Sequence, residues 1–131
     1  MPLFSLRRLE LVKGKQQFYN LFKNNTCVFE EFCRNIENDE RYLSELRTIF
    51  AYMEMVANLQ MLPQQKMRDL TPKNDKIKEY ELKTKHLRVY FIHQENIGKI
   101  IILGGFKTTQ PKDISKFRAL KKEYINNLKN I

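Results

Sequence analysis

Apolar residues recur at Leu43, Leu46, Ile49, Phe50, Met53, Val56 and Ala57 in steps of three and four. That spacing predicts an amphipathic helix of about four turns, opened by Asn38-Asp39 with acidic Asp39 and Glu40 in its first turn. Upstream, Val28, Phe29, Phe32, Cys33 and Ile36 make a second one-face pattern behind Asn25 or Thr26 as a cap. The aromatic run Gln16 to Phe22 predicts a strand, and Leu3 to Val12 a further strand without clean alternation, followed by the turn Lys13-Gly14-Lys15. Gln60 to Asp75, interrupted by Pro63 and Pro72, is a long connector. Beyond it the period changes to two. Ile77 to Lys83, His86 to His93 and Lys99 to Phe106 predict three strands, with connections short enough for antiparallel hairpins. Pro111 and Asp113 open a last helix with Ile114, Phe117, Leu120, Tyr124 and Leu128 inward, and with Lys112, Lys116, Arg118, Lys121 and Lys122 on or near its outer faces.

The order strand, two helices, three-strand meander, helix defines an α+β fold of two layers. A mostly antiparallel sheet has helices packed on one face, and its other face is expected to be open. At 131 residues the chain is expected to form a single domain over 1–131, with 1–15 as an N-terminal extension. No apolar run approaches the roughly 18 residues of a membrane span, and Met1 to Val12 lacks the apolar region and cleavage site of a secretory signal. A cytoplasmic protein without membrane contact is expected. Cys27 and Cys33 lie six apart in a predicted helix, on different faces, and are expected as free thiols. Met53, Met55 and Met61 are expected to fill the core.

Charge changes the picture once it is located. Residues 1–65 hold 8 basic and 8 acidic side chains and residues 66–131 hold 16 and 7, so the whole net charge of +9 lies in the second half. Such asymmetry suits a polyanionic partner. In the middle strand of the meander, Leu87, Val89 and Phe91 share one face while Arg88, Tyr90 and Ile92 share the other. If the fully apolar set meets the helices, Arg88 projects from the open face, where a guanidinium fork suits phosphate oxygens. An ion pair with Glu79 or Glu81 is the competing structural reading. Gly104-Gly105 ends the last strand with room for close backbone approach, amid Lys83, Lys85, Arg88 and Lys107, without the G-x-x-x-x-G-K-[ST] pattern of a nucleotide-binding loop. His86 and His93 bracket the Arg88 strand and point opposite ways, so they cannot share a metal ion; either is a general acid or base only by itself. Neither a metal site nor a cofactor is expected.

Three stretches carry a likeness to a known family: Tyr80-Glu81-Leu82-Lys83, Leu87-Arg88-Val89-Tyr90-Phe91, and Ile100 to Leu103 followed by Gly105-Phe106-Lys107-Thr108 and a helix from Asp113. Together with Val28-Phe29-Glu30-Glu31-Phe32, they resemble RelE/HigB-type toxins of toxin-antitoxin systems, notably the phage-derived subgroup, over roughly Gln16 to Tyr124. The resemblance implies a RelE-like fold and a metal-independent endoribonuclease, an mRNA interferase that cleaves messages on the ribosome through attack by the RNA 2′-hydroxyl. It matches Arg88, Lys83 and Lys107 to catalytic positions. Lys85, His86, Tyr90, Lys112, Lys116 and Arg118 are the expected RNA contacts. The implied partners are mRNA, the ribosome and a cognate antitoxin protein, with DNA reached only through the antitoxin complex. This sequence departs from the subgroup at Thr108, where a second Lys is frequent, and at Cys27, where a Pro is. A ParE-like toxin that inhibits gyrase, and a non-catalytic nucleic-acid-binding module, are the alternatives.

Overall fold

Alternation along the strands decides which side chain meets which helix. A computed structural model describes residues 3–129. It forms one six-stranded sheet from β1 (Phe4–Arg8), β2 (Phe18–Lys23), β3 (Met67–Asp69), β4 (Lys78–Lys83), β5 (Leu87–Gln94) and β6 (Gly98–Phe106), in the spatial order β1-β2-β6-β5-β4-β3. Neighbouring strands are antiparallel except β2 and β6, which run parallel. Helices α1 (Val28–Ile36) and α2 (Glu40–Ala57) make part of the crossover between them, and α3 (Gln110–Lys129) follows β6 through a 3₁₀ turn at Lys107–Thr109.

The α+β class and the mostly antiparallel sheet are as the sequence predicts. On one face Leu82, Val89, Phe91 and Ile101 pack with Phe29 of α1 and Ile49 and Met53 of α2. On the other, Tyr90, Ile92, Ile100, Ile102 and Leu103 pack with Phe117 and Tyr124 of α3. Thus α1 and α2 lie together on one face, and the face expected to be open is crossed by α3. The reason lies in β6. Its register steps from Tyr90↔Leu103 to Phe91↔Ile101, leaving Ile102 as a bulge, so Ile102 and Leu103 both contribute to the α3 side. Together with Tyr90 and Ile92 they form a sheet face that excludes water only when a helix lies on it. The Tyr90 ring stacks on Phe117 with centroids 5.4 Å apart.

Local differences from the sequence reading have local causes. Asp39 caps α2 as expected, its carboxylate accepting from the Arg41 amide at 3.0 Å. The residue before α1 is Cys27 and gives no side-chain cap, because Thr26 is held in a bridge to Lys23. Three residues of the connector, Met67–Asp69, form β3 against β4. Met53 is fully buried, whereas Met61 is 94% exposed and no part of the core. Leu128 is exposed rather than inward. Lys121, expected on or near an outer face, is buried. Both cysteines are free thiols.

Candidate active site at the β4–β5 rim

The turn between β4 and β5 and the turn between β6 and α3 lie side by side, because the Lys107 amide donates to the His86 carbonyl at 2.8 Å. Across the sheet, Lys83, Arg88 and Gly105 are direct neighbours, which sets Lys83 beside Arg88 on the α3 face. A side chain at Gly105 would collide with the Asp113 carboxylate, and one at Gly104 would meet the Phe32 ring at 2.5 Å. The two glycines let α3 and α1 approach the sheet from opposite sides.

Arg88 does not project into solvent. It is 8% exposed, and its NH1 donates to the carbonyls of Thr84 at 2.6 Å and Leu87 at 2.8 Å, closing the turn from inside. The competing ion pairs do not form either, since other groups hold both acids. Glu81 accepts from Gln110 at 2.6 Å and lies 3.2 Å from Arg68. Glu79 accepts from Arg118 at 3.0 Å and from Lys121 at 2.8 Å, and Lys121 also donates to Asp75 at 2.8 Å and the Ile77 carbonyl at 2.9 Å. Arg68 Nε and Arg88 Nε are buried on the α3 face without hydrogen-bond partners, and the Tyr90 hydroxyl lies near the Glu81 carboxylate there.

On the α2 side of the same rim, Glu45 organises the turn. One carboxylate oxygen accepts from the Thr84 hydroxyl at 2.5 Å and the His86 amide at 2.7 Å, while the other meets His86 Nδ1 at 2.6 Å. Burial acts to raise the Glu45 carboxyl, but the hydrogen bonds from Thr84 and from the His86 amide and ring outweigh it and hold the group below its ordinary value. Engagement of Nδ1 fixes the ring and leaves Nε2 as its other nitrogen. Tyr42, His86, Phe106, Lys107 and Thr108 line a pocket of 260 Å³ beside it. Tyr42 meets His86 edge-on at 5.9 Å and packs on Phe106 at 5.2 Å, and Phe32 supports Phe106 from behind at 5.5 Å.

Of the predicted site residues, the rim brings together Lys83, Lys85, His86 and Lys107, with Arg88 behind them. Lys85 and Lys107 are exposed, Lys83 is half-buried, and the His86 side chain is 47% exposed. Lys112 lies in the first turn of α3, while Lys116 is exposed further along the helix. One predicted RNA contact is corrected. Tyr90 is fully buried beneath α3; burial and the adjacent Glu81 carboxylate push its hydroxyl well above the ordinary tyrosine value, so it stays protonated. Arg118, exposed on α3, pairs with Glu79 and donates to the Leu70 carbonyl at 2.8 Å. His93 lies at the far end of β5 against Lys99, 3.1 Å from its Nζ. Among the described residues no cluster of His, Cys, Asp and Glu is arranged to hold a metal ion, and no helix is long and apolar enough to cross a membrane.

Tyr42 and Glu45 were not foreseen. They stand three apart on α2, at the edge of its apolar stripe, so a helix-face count puts them one turn apart on one side. Nothing local announces a partner 41 residues away at His86. Comparison with known protein families, with curated proteins and with solved structures returns no match to this chain.

Proposed function

We propose that this protein is the toxin of a toxin-antitoxin pair, a cytoplasmic endoribonuclease that cleaves mRNA without a metal ion. The observation that carries this reading is the presence of Lys83, Lys85 and Lys107 at the same rim of the sheet as a half-exposed histidine. These lysines form no ion pair among the described residues, so their charge is available to RNA phosphates. Cleavage by the RNA 2′-hydroxyl asks the protein only to orient the sugar, move protons and offset charge on the phosphorane. One positioned electrostatic donor contributes on the order of 10²–10³ in rate. Lys83 and Lys107 are the direct cations in this reading, and Arg88 adds charge while holding the turn that carries them.

The same unpaired cations call for a neutralising partner. An antitoxin segment that is acidic and amphipathic would cover the rim and associate faster at low salt. The decisive experiment incubates the purified protein with a defined message, with and without ribosomes, and maps the new 5′ ends. Discrete cleavage that the Lys83→Ala, Lys107→Ala double variant loses is the expected result. A message left intact under both conditions overturns the nuclease reading. Expression alone should arrest growth, and co-expression with the product of an adjacent reading frame should relieve it.

A further inference from the structure

We infer that the pocket lined by Tyr42, Phe106 and Lys107 takes one nucleobase of the RNA, and that His86, held by Glu45, is the general base for the adjoining 2′-hydroxyl. The inference rests on the nuclease reading for its chemistry, but the base-binding half stands on the pocket itself. At 260 Å³ the pocket is smaller than the ~300–1,000 Å³ of drug-sized ligand sites, which suits a single ring system. Two of its lining residues, Tyr42 and Phe106, are aromatic and pack together as one wall, and base stacking on an aromatic side chain tolerates any base. Lys107 and Thr108 supply a cation and a hydroxyl at the same wall, where the phosphate attached to a bound nucleoside would emerge.

The dyad gives this pocket a proton acceptor. The 2.6 Å contact from Nδ1 to Glu45 orients the imidazole and stabilises the charge it gains when Nε2 accepts a proton. In the step, the 2′-oxygen bonds to the neighbouring phosphorus as its proton passes to His86 Nε2. The bond from phosphorus to the 5′-oxygen breaks, water protonates that oxygen, and His86 returns its proton to the hydroxide so formed. The products are a 2′,3′-cyclic phosphate and a 5′-hydroxyl. The groups facing His86 from every side are Glu45, Tyr42 and, beyond Tyr42, Arg41 on α2, Thr84 and Lys85 on the turn, and Lys107 after β6.

Two measurements test the two halves separately. Adding adenosine or guanosine 3′-monophosphate should shift the NMR signals of the His86 ring saturably, and Tyr42→Ala should weaken that binding at least severalfold while the protein remains folded. Absence of any shift at millimolar nucleotide overturns the base pocket, whatever the protein does to RNA. In cleavage assays, His86→Ala should lower the rate about 10²–10⁴-fold with RNA affinity retained. Glu45→Gln should reduce it less and displace the pH profile, as expected of a positioning residue. If His86→Ala cleaves at the parental rate with the parental pH profile, the general-base assignment falls while the nuclease reading stands. If the parent cleaves nothing yet binds the nucleotides, the nuclease reading and the proton-transfer role fall together and the base pocket survives.

Discussion

Two groups of basic residues in the second half lie toward opposite ends of β4 and differ in their partners. At the strand's start, under α3, Arg118 and Lys121 are drawn onto Glu79 and Asp75, and Lys121 is 4% exposed. At its other end Lys83, Lys85 and Lys107 find no acid and face solvent or the rim pocket. Each of these five side chains adds one unit to the formal charge, but Glu79 and Asp75 offset the first group through ion pairs while the second is left unopposed. Acid placement makes the difference. Glu79 and Glu81 share the α3 face with Arg88, and partners from α3 and β3 reach each of them, Lys121 for Glu79 and Gln110 with Arg68 for Glu81. Net charge therefore gives a total, and burial and pairing say which of the cations stay unopposed.

The sharpest test of this division removes a partner from the buried network. Lys121→Ala leaves Glu79 buried with Arg118 alone, and a destabilisation of about 3–5 kcal/mol is expected from chemical denaturation. RNA cleavage per folded molecule should not change. A change within about 0.5 kcal/mol would show that the network is solvated like the rim. Phe117→Ala, which opens a cavity over Tyr90, should cost a similar 3–5 kcal/mol.

Arg88 sits between the regions, and its substitution should have an intermediate effect. Arg88→Ala frees the Thr84 and Leu87 carbonyls, which is expected to cost about 1–3 kcal/mol and to slow RNA cleavage. Arg88→Lys distinguishes the two roles. Retained stability with reduced cleavage would point to the guanidinium, whereas equal recovery of both would reduce Arg88 to a support for the turn.

Acid titration separates the regions by a different route. A carboxyl held below its ordinary value stabilises the fold fully above that value, and the contribution is lost as pH falls through the depressed one. Asp75 is held down by its hydrogen bond to Lys121 against the opposing effect of burial, and Glu45 by the turn it organises, from ordinary values of 3.8 and 4.5. Stability measured by thermal unfolding should be level in these two groups above about pH 5 and decline below it. Lys121→Ala should flatten the Asp75 part, and Thr84→Val, which removes the hydroxyl that lowers Glu45 most, the Glu45 part. A decline of parental steepness in both variants would exclude these pairs as its source.

The smallest stability effects are expected at the rim, where Lys83→Ala, Lys85→Ala and Lys107→Ala should each stay within about 0.5 kcal/mol of the parent. On the proposed function their effect falls on RNA binding. Removing one phosphate-binding cation should reduce the slope of log affinity against log salt by about 0.7 for a single strand. An unchanged slope in all three variants would show that RNA, if bound, is held elsewhere.

The sequence made the elements visible where one period ran uninterrupted. The α2 stripe from Leu43 to Ala57 and the alternation in β4, β5 and β6 both survive in the structure. The face assignment failed for an identifiable reason. Leu87, Val89 and Phe91 marked one buried face correctly, but Tyr90 and Ile92 mark a second, and the extra side chain supplied by the Ile102 bulge has no signature in a two-residue period. Cations were legible as residues and not as states. Lys121 and Lys122 are adjacent and identical in type, yet one is buried on Glu79 and the other exposed. Glu45 and Tyr42 had no local mark at all, since their significance arises from a turn that the chain reaches only about forty residues later.

The parallel pairing of β2 with β6 also has a consequence for synthesis. Asn20 lies beside Ile101, about 80 residues later in the chain. At a translation rate of roughly 5–20 residues per second, β2 waits about 4–16 s for its inner neighbour. During that interval the β1–β2 hairpin has an unsatisfied edge, a row of free amides and carbonyls that any extended segment can adopt. Because β6 also leads directly into Lys107 and α3, the rim cannot assemble before the sheet closes. A nascent chain carrying every residue up to His86 would still have neither the Phe106 wall nor the Lys107 cation, so the order of emergence withholds the complete site until the last strand is made.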